Sequence, residues 1–156
     1  MIHKSAQKYN LSQEVVDKIF EESKSIVEGL GYELVDIEYS EMYKSLQVFV
    51  LIWKKEKIQF EDCEKVHPLI SDMLDKFDGD FPEQYTLNIS SVGLDRPIIS
   101  DDDFRRNVDQ EIVEATIKKY GILVKYDDEN VVLKNDKNEE FVIKRKGNKF
   151  EPYIRF

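Results

Sequence analysis

His67, Ser90, Ser91 and Asp95 are the residue types of a nucleophilic triad: a hydroxyl to attack, an imidazole to take its proton, a carboxylate to orient the imidazole. Their sequence context does not carry that chemistry. Gly-x-Ser-x-Gly is absent, and nothing around Ser90-Ser91 supplies an evident oxyanion hole. His67, beside Pro68, reads as a helix residue, packed or half exposed. Asp101-Asp102-Asp103 has the charge to attract Mg²⁺ or Ca²⁺ but lacks the Gly and the final Glu of a calcium loop. Three acids directly after Ser100 suit a helix start, where the backbone dipole favours negative charge. Cys63 is the single cysteine, so the chain has no intramolecular disulfide and no cysteine metal cluster; on an apolar stripe it reads as a small core residue. No G-x-x-x-x-G-K-[ST] loop and no G-x-G-x-x-G occurs. The residues point to no catalytic site, no metal and no cofactor.

The residues that could bind a partner lie near the end of the chain. Phe141 to Lys146 and Lys149 to Phe156 interleave aromatic rings with positive charge, and Lys144, Arg145, Lys146 and Arg155 are the candidate partner-binding side chains. Such a stretch could grip RNA or an acidic protein surface. It could equally be a strand whose lysine-rich edge resists aggregation. The charge balance bears on the partner. The chain of 156 residues carries a net −9, unfavourable for general nucleic-acid binding, which needs a positive surface. Residues 1–95 hold ten lysines, no arginine and nineteen acidic residues, whereas residues 96–156 are balanced and hold all five arginines. An acidic front half with a locally basic tail suits a partner of both charge signs, such as a ribonucleoprotein. The RNA-recognition strand signature is absent, as is the Gly-x-x-Gly clamp of K-homology modules.

The elements that must position these residues follow from hydrophobic spacing. Asn10 and Gln13 resemble a capping box, and Leu11, Val15, Val16, Ile19, Phe20, Ile26, Val27 and Leu30 recur at helical intervals until Gly29 and Gly31 stop them. The spacing predicts a helix over 11–29. Tyr32–Tyr39, with Val35, Ile37 and Tyr39 on one face, and Leu46–Trp53 predict an antiparallel hairpin across a polar turn, Ser40–Ser45. A second helix begins near Glu61, runs through Cys63, Val66, Ile70, Leu74 and Phe77, and contains Pro68, which should kink it or remove one hydrogen bond. The strand Tyr85–Ile89 completes an αββαβ order, a two-layer α+β module. Beyond it, Glu111–Lys118, Gly121–Tyr126, Asn130–Leu133, Glu139–Arg145 and Pro152–Phe156 predict short strands of a small barrel. The expected organisation is a flexible start over 1–10, an α/β domain over 11–91, a junction over 92–99 and a β-barrel domain over 100–156. No signal peptide is visible in the first residues, and the longest apolar run is far shorter than the ~18 residues of a membrane span, so a cytoplasmic protein is expected.

Ser90-Ser91-Val92-Gly93-Leu94-Asp95-Arg96-Pro97 is the most specific stretch of the chain. Gly93 permits backbone geometry closed to other residues, Asp95 can bond local amides or pair with Arg96, Leu94 would anchor the loop and Pro97 stiffens its exit. With Gly31–Tyr39, with Phe60-Glu61-Asp62-Cys63-Glu64 and with Leu74-Asp75, it resembles the ribosome maturation factor family RimP. The resemblance covers roughly residues 11–108. It implies an N-terminal α/β domain and a C-terminal SH3-like (Sm-like) barrel. It also implies a non-enzymatic factor, monomeric, that associates with the free small (30S) ribosomal subunit during its assembly. The expected contacts are a ribosomal protein of the decoding region and ribosomal RNA, and the alternative is a plain RNA-binding module. Four positions depart from the family pattern: Val92 where a proline is usual, Leu51 where an acid is usual, Gln59 in place of a capping Thr or Ser, and His67-Pro68.

Overall fold

A computed structural model describes residues 11–42, 45–81, 85–92 and 96–153. The expected flexible start, residues 1–10, lies outside them. They form two compact units that divide between Val92 and Gly93.

The first unit begins with α1, Gln13–Gly29. Its cap is Ser12, whose Oγ accepts from Val15 N at 3.2 Å, so the expected Asn10 box gives way to a cap two residues on. Leu11 and Val16, the positions flanking that cap, are both buried and close the entry as an apolar staple. The exit is a glycine cap. Gly31 sits at φ +92°, its N–H bonds Glu28 O, and Tyr32 N bonds Val27 O. Strands β1, Glu33–Met42, and β2, Ser45–Trp53, pair antiparallel, with Met42 opposite Ser45. The expected polar turn over Ser40–Ser45 is thus mostly strand. A bulge between Leu34 and Asp36 shifts the register, so Leu34, Ile37 and Tyr39 are buried and Val35 is only half buried.

Helix α2, Phe60–Leu74, runs on through Pro68 and passes into a 3-10 turn, Asp75–Asp80. Cys63 is half buried on it, so the core position expected for the thiol is only partly filled. Strand β3, Tyr85–Ser91, is two residues longer than expected and pairs parallel with β2, which is therefore central in the order β1-β2-β3. Both helices contribute to one core with this sheet: Ile19 and Val27 of α1, Val66 and Ile70 of α2, Val48 and Ile52 of β2. The αββαβ order of the sequence reading is what folds.

The second unit carries a short helix, α3, Asp101–Arg106, then β4, Glu111–Glu114, β5, Lys119–Tyr126, β6, Asn130–Lys134, β7, Glu140–Lys144, and β8, Phe150–Pro152. They make an antiparallel sheet in the order β7-β6-β5-β4-β8, and a single bridge joins Ile98 to Phe150 beyond β8. The expected closure into a barrel is not among the pairings of the described residues. Its core is Phe104 packed on Phe150 and Tyr126, with Ile112, Leu123, Leu133 and Ile143. The expected strand Glu111–Lys118 stops at Glu114. That carboxylate is fully buried and accepts from Thr116 N, Ile117 N and Lys149 N at 2.7–3.1 Å, which pulls the chain into a turn. The last strand lies earlier than expected, at Phe150–Pro152, and residues 154–156 fall outside the described chain. Gly121 lets β5 and β6 approach: a Cβ there would stand 2.8 Å from the Lys134 carbonyl oxygen.

Candidate partner-binding site

The residues singled out in the sequence divide into the junction and the basic segment. Ser90 and Ser91 end β3, and Ser90 Oγ donates to the Ser91 carbonyl at 3.1 Å. His67 Nε2 lies 3.3 Å from the Leu87 carbonyl oxygen, a contact that ties α2 to β3. Among the described residues no hydrogen bond joins either serine to the imidazole, and Gly93, Leu94 and Asp95 lie outside those residues. Pro97 is exposed. Arg96 is half buried with Nε 3.7 Å from Asp103 Oδ1.

Asp103 explains the acidic run. Its Oδ2 accepts from Ile99 N and Ser100 N, its Oδ1 from Arg106 Nη1 at 3.1 Å, and Ser100 Oγ accepts from Asp103 N. Burial pushes its carboxyl up, but the Ser100 and Ile99 amides, the Ser100 hydroxyl and the Arg96 charge together hold it below the usual range. Asp102 pairs with Arg105 at 3.3 Å and Asp101 with Arg145 at 2.7 Å. The three carboxylates serve the helix cap and four arginines.

Arg145 is the best-anchored cation of the basic segment. Its guanidinium donates to Asp101 Oδ1 at 2.7 Å, the Asp127 carbonyl at 3.0 Å and the Ile99 carbonyl at 3.1 Å, and its carbon centre lies 4.6 Å from the Phe104 ring centroid. Only 17% of this side chain is exposed. It ties the start of α3 and the β5–β6 turn to the end of β7. Lys144 and Lys146 on either side of it are exposed, and Arg155 lies outside the described residues. The neighbouring aromatics are engaged as well. Phe141 packs on the core under the Lys119 ammonium, Phe150 is buried, and Tyr153 stacks on Tyr120 at 4.6 Å. Strand β7 is an outer strand, and Val142, 61% exposed, stands on it beside Lys144.

Two further features were not found by the sequence reading. Asp62 is buried at the start of α2 and accepts from Tyr32 OH at 2.6 Å, Lys54 Nζ at 3.1 Å and Gln59 N at 2.7 Å. These bonds, the Tyr32 hydroxyl first, hold its carboxyl down at about 2, and the same Asp62 bond, with burial, pushes the Tyr32 phenol up to about 12. The second feature is a groove of about 270 Å³ between α1 and β1. Val16 and Ile37 form its apolar wall, Phe20 stands at the edge, and Asp17, Glu21 and Asp36 rim it. Tyr39 lines it with a buried hydroxyl that has no hydrogen-bond partner. The signal in the sequence was the two interleaved i,i+4 pairs of α1, Val16/Phe20 and Asp17/Glu21, which put carboxylates beside an apolar row.

Among known proteins, residues 23–95 match the family model of the RimP N-terminal domain. The match begins inside α1, spans β1, β2, α2 and β3, and ends at the aspartate of the Ser90–Pro97 stretch.

Proposed function

Because the chain belongs to the RimP family through the N-terminal domain over residues 23–95, we propose that it is a non-enzymatic maturation factor that binds the free small (30S) ribosomal subunit during its assembly. The observation that carries this reading is the family match itself, which runs from within α1 through β1, β2, α2 and β3. On this reading the partner is a ribosomal protein of the decoding region together with neighbouring ribosomal RNA, and the protein works in the cytoplasm as a monomer without a cofactor. The second unit acts as an SH3-like barrel, its five-stranded sheet being the part of that architecture supported by the described pairings. Residues 92–99 form the junction that sets the geometry between an N-terminal domain over 11–91 and a C-terminal domain over 100–156. On this reading Pro97 stiffens the exit of the junction, so less ordering is needed when both domains engage one surface. Lys144, Lys146 and Arg155 supply the cationic contact, and Arg145 holds that segment in place from within.

The alternative, a plain RNA-binding module, requires tight binding to naked ribosomal RNA with a steep salt dependence. The net charge of −9 opposes it. Depletion of the protein followed by gradient profiling tests the proposal. A deficit of mature small subunits, with tagged protein migrating with the free small subunit, is the expected result. Normal subunit profiles and tagged protein remaining at the top of the gradient would overturn it.

A further inference from the structure

The groove between α1 and β1 is assembled almost wholly from hydrogen-bond acceptors set around an apolar wall. Asp17 bonds the neutral amide of Gln13 at 2.7 Å, and Glu21 has no ion pair among the described residues. Asp36 contributes a third carboxylate, one oxygen of which caps Ile37 N at 2.8 Å. Tyr39, which also lines the groove, is 3% exposed, and its hydroxyl is closed to solvent and has no hydrogen-bond partner among the described residues. A buried hydroxyl left unpaired is costly.

We propose that this groove is a docking site for an arginine side chain presented by a basic protein segment. The guanidinium is donor-only, with five N–H groups in a planar fork, and matches the exposed carboxylates of Asp17 and Glu21 on the groove rim. Its flat, weakly hydrated faces suit Phe20, which stands 36% exposed at the rim. Lysine offers a compact, strongly hydrated charge and loses the stacking. Nucleic acid is excluded by charge, because phosphates would meet the carboxylates. A divalent cation is disfavoured by spacing, since the described residues contain no group of three acidic or imidazole side chains close enough to hold one. The volume of about 270 Å³ lies below the ~300–1,000 Å³ of small-molecule sites and fits side chains better than a free ligand.

The inference rests on the maturation-factor reading for its biological partner, since a protein that neutralises ribosomal RNA carries exposed arginines. It assigns the acidic unit a protein contact of its own.

The test uses the full chain, isotope-labelled, titrated with a blocked peptide of alternating valine and arginine and with its lysine counterpart. The arginine peptide is expected to shift the amides of residues 16–21 and 36–39 and to bind about fivefold more tightly than the lysine peptide. Asp17→Asn with Glu21→Gln, both at exposed helix positions, should weaken it roughly tenfold, the effect of about one lost charged contact. Shifts confined to other acidic surfaces, equal affinity for both peptides, or an affinity unchanged in the double variant would overturn the proposal. Sedimentation of the unaltered chain with free small subunits is a separate readout. Its failure would overturn the maturation-factor reading and leave the groove's arginine preference standing.

Discussion

Asp62 and Tyr32 share one hydrogen bond, which shifts the two groups in opposite directions. Asp62 is held at about 2 against an ordinary 3.8, so its contribution to stability is complete above 3.8 and is lost as the pH falls toward 2. Tyr32 is raised to about 12 from 10.0, so its contribution is complete below 10 and is lost as the pH rises toward 12. Tyr32→Phe should therefore move the Asp62 carboxyl back up toward 3.8, shift acid unfolding to higher pH and remove the part of the alkaline loss that Tyr32 contributes. Carboxyl titration by NMR and urea unfolding at several pH values read both effects. In the second unit, Glu114 is the comparable residue. Burial pushes its carboxyl up, and the amides of Ile117, Lys149 and Thr116 more than reverse this, leaving it below the usual range. Glu114→Ala strands three backbone donors and should destabilise the second unit by about 3 kcal/mol. Urea unfolding followed by signals from β4 and β8 is the measurement.

At the scale of elements, the segment after β7 separates cations that hold the fold from cations that face solvent. Arg145→Ala removes three hydrogen bonds and the contact with Phe104, and should cost about 2–3 kcal/mol. Lys144→Glu with Lys146→Glu should change stability by less than about 0.5 kcal/mol, because both side chains are exposed, and should weaken association with the proposed partner. Thermal unfolding beside a binding assay distinguishes the two classes. The sequence made them look alike, since charge is visible along a chain while Asp101, Asp127 and Ile99 reach Arg145 only through the fold. The same distinction runs through the secondary structure. The helical spacing of Val16, Ile19 and Val27 and the alternation of Leu46, Val48, Val50 and Ile52 were legible because burial repeats with the element's own period. The bulge that exchanges Val35 for Leu34 was not, because alternation presumes an unbroken pleat. Glu114 reads as an ordinary polar strand residue until the Thr116, Ile117 and Lys149 amides are brought to it. The groove was hidden for the same reason: α1 supplies half of it and β1 the rest.

For the whole molecule, the informative property is the uneven charge. An acidic unit over Met1–Val92 and a balanced, locally basic unit from Gly93 offer two chemically different surfaces. A partner made of protein and RNA can meet both, with arginine-bearing protein at the first and phosphate at the second. Salt should then weaken association only modestly, since few phosphates are neutralised and the acidic contacts release no RNA counterions. A module that held RNA alone would lose affinity steeply over the same range. The central claim is association with the free small ribosomal subunit. Its most direct measurement is co-sedimentation of the purified chain with free small subunits, free large subunits, joined ribosomes and naked small-subunit ribosomal RNA at two salt concentrations. The account predicts stoichiometric recovery with free small subunits at both salts, and little with the other three. Recovery with naked RNA equal to that with small subunits, or no recovery with small subunits at all, would contradict it.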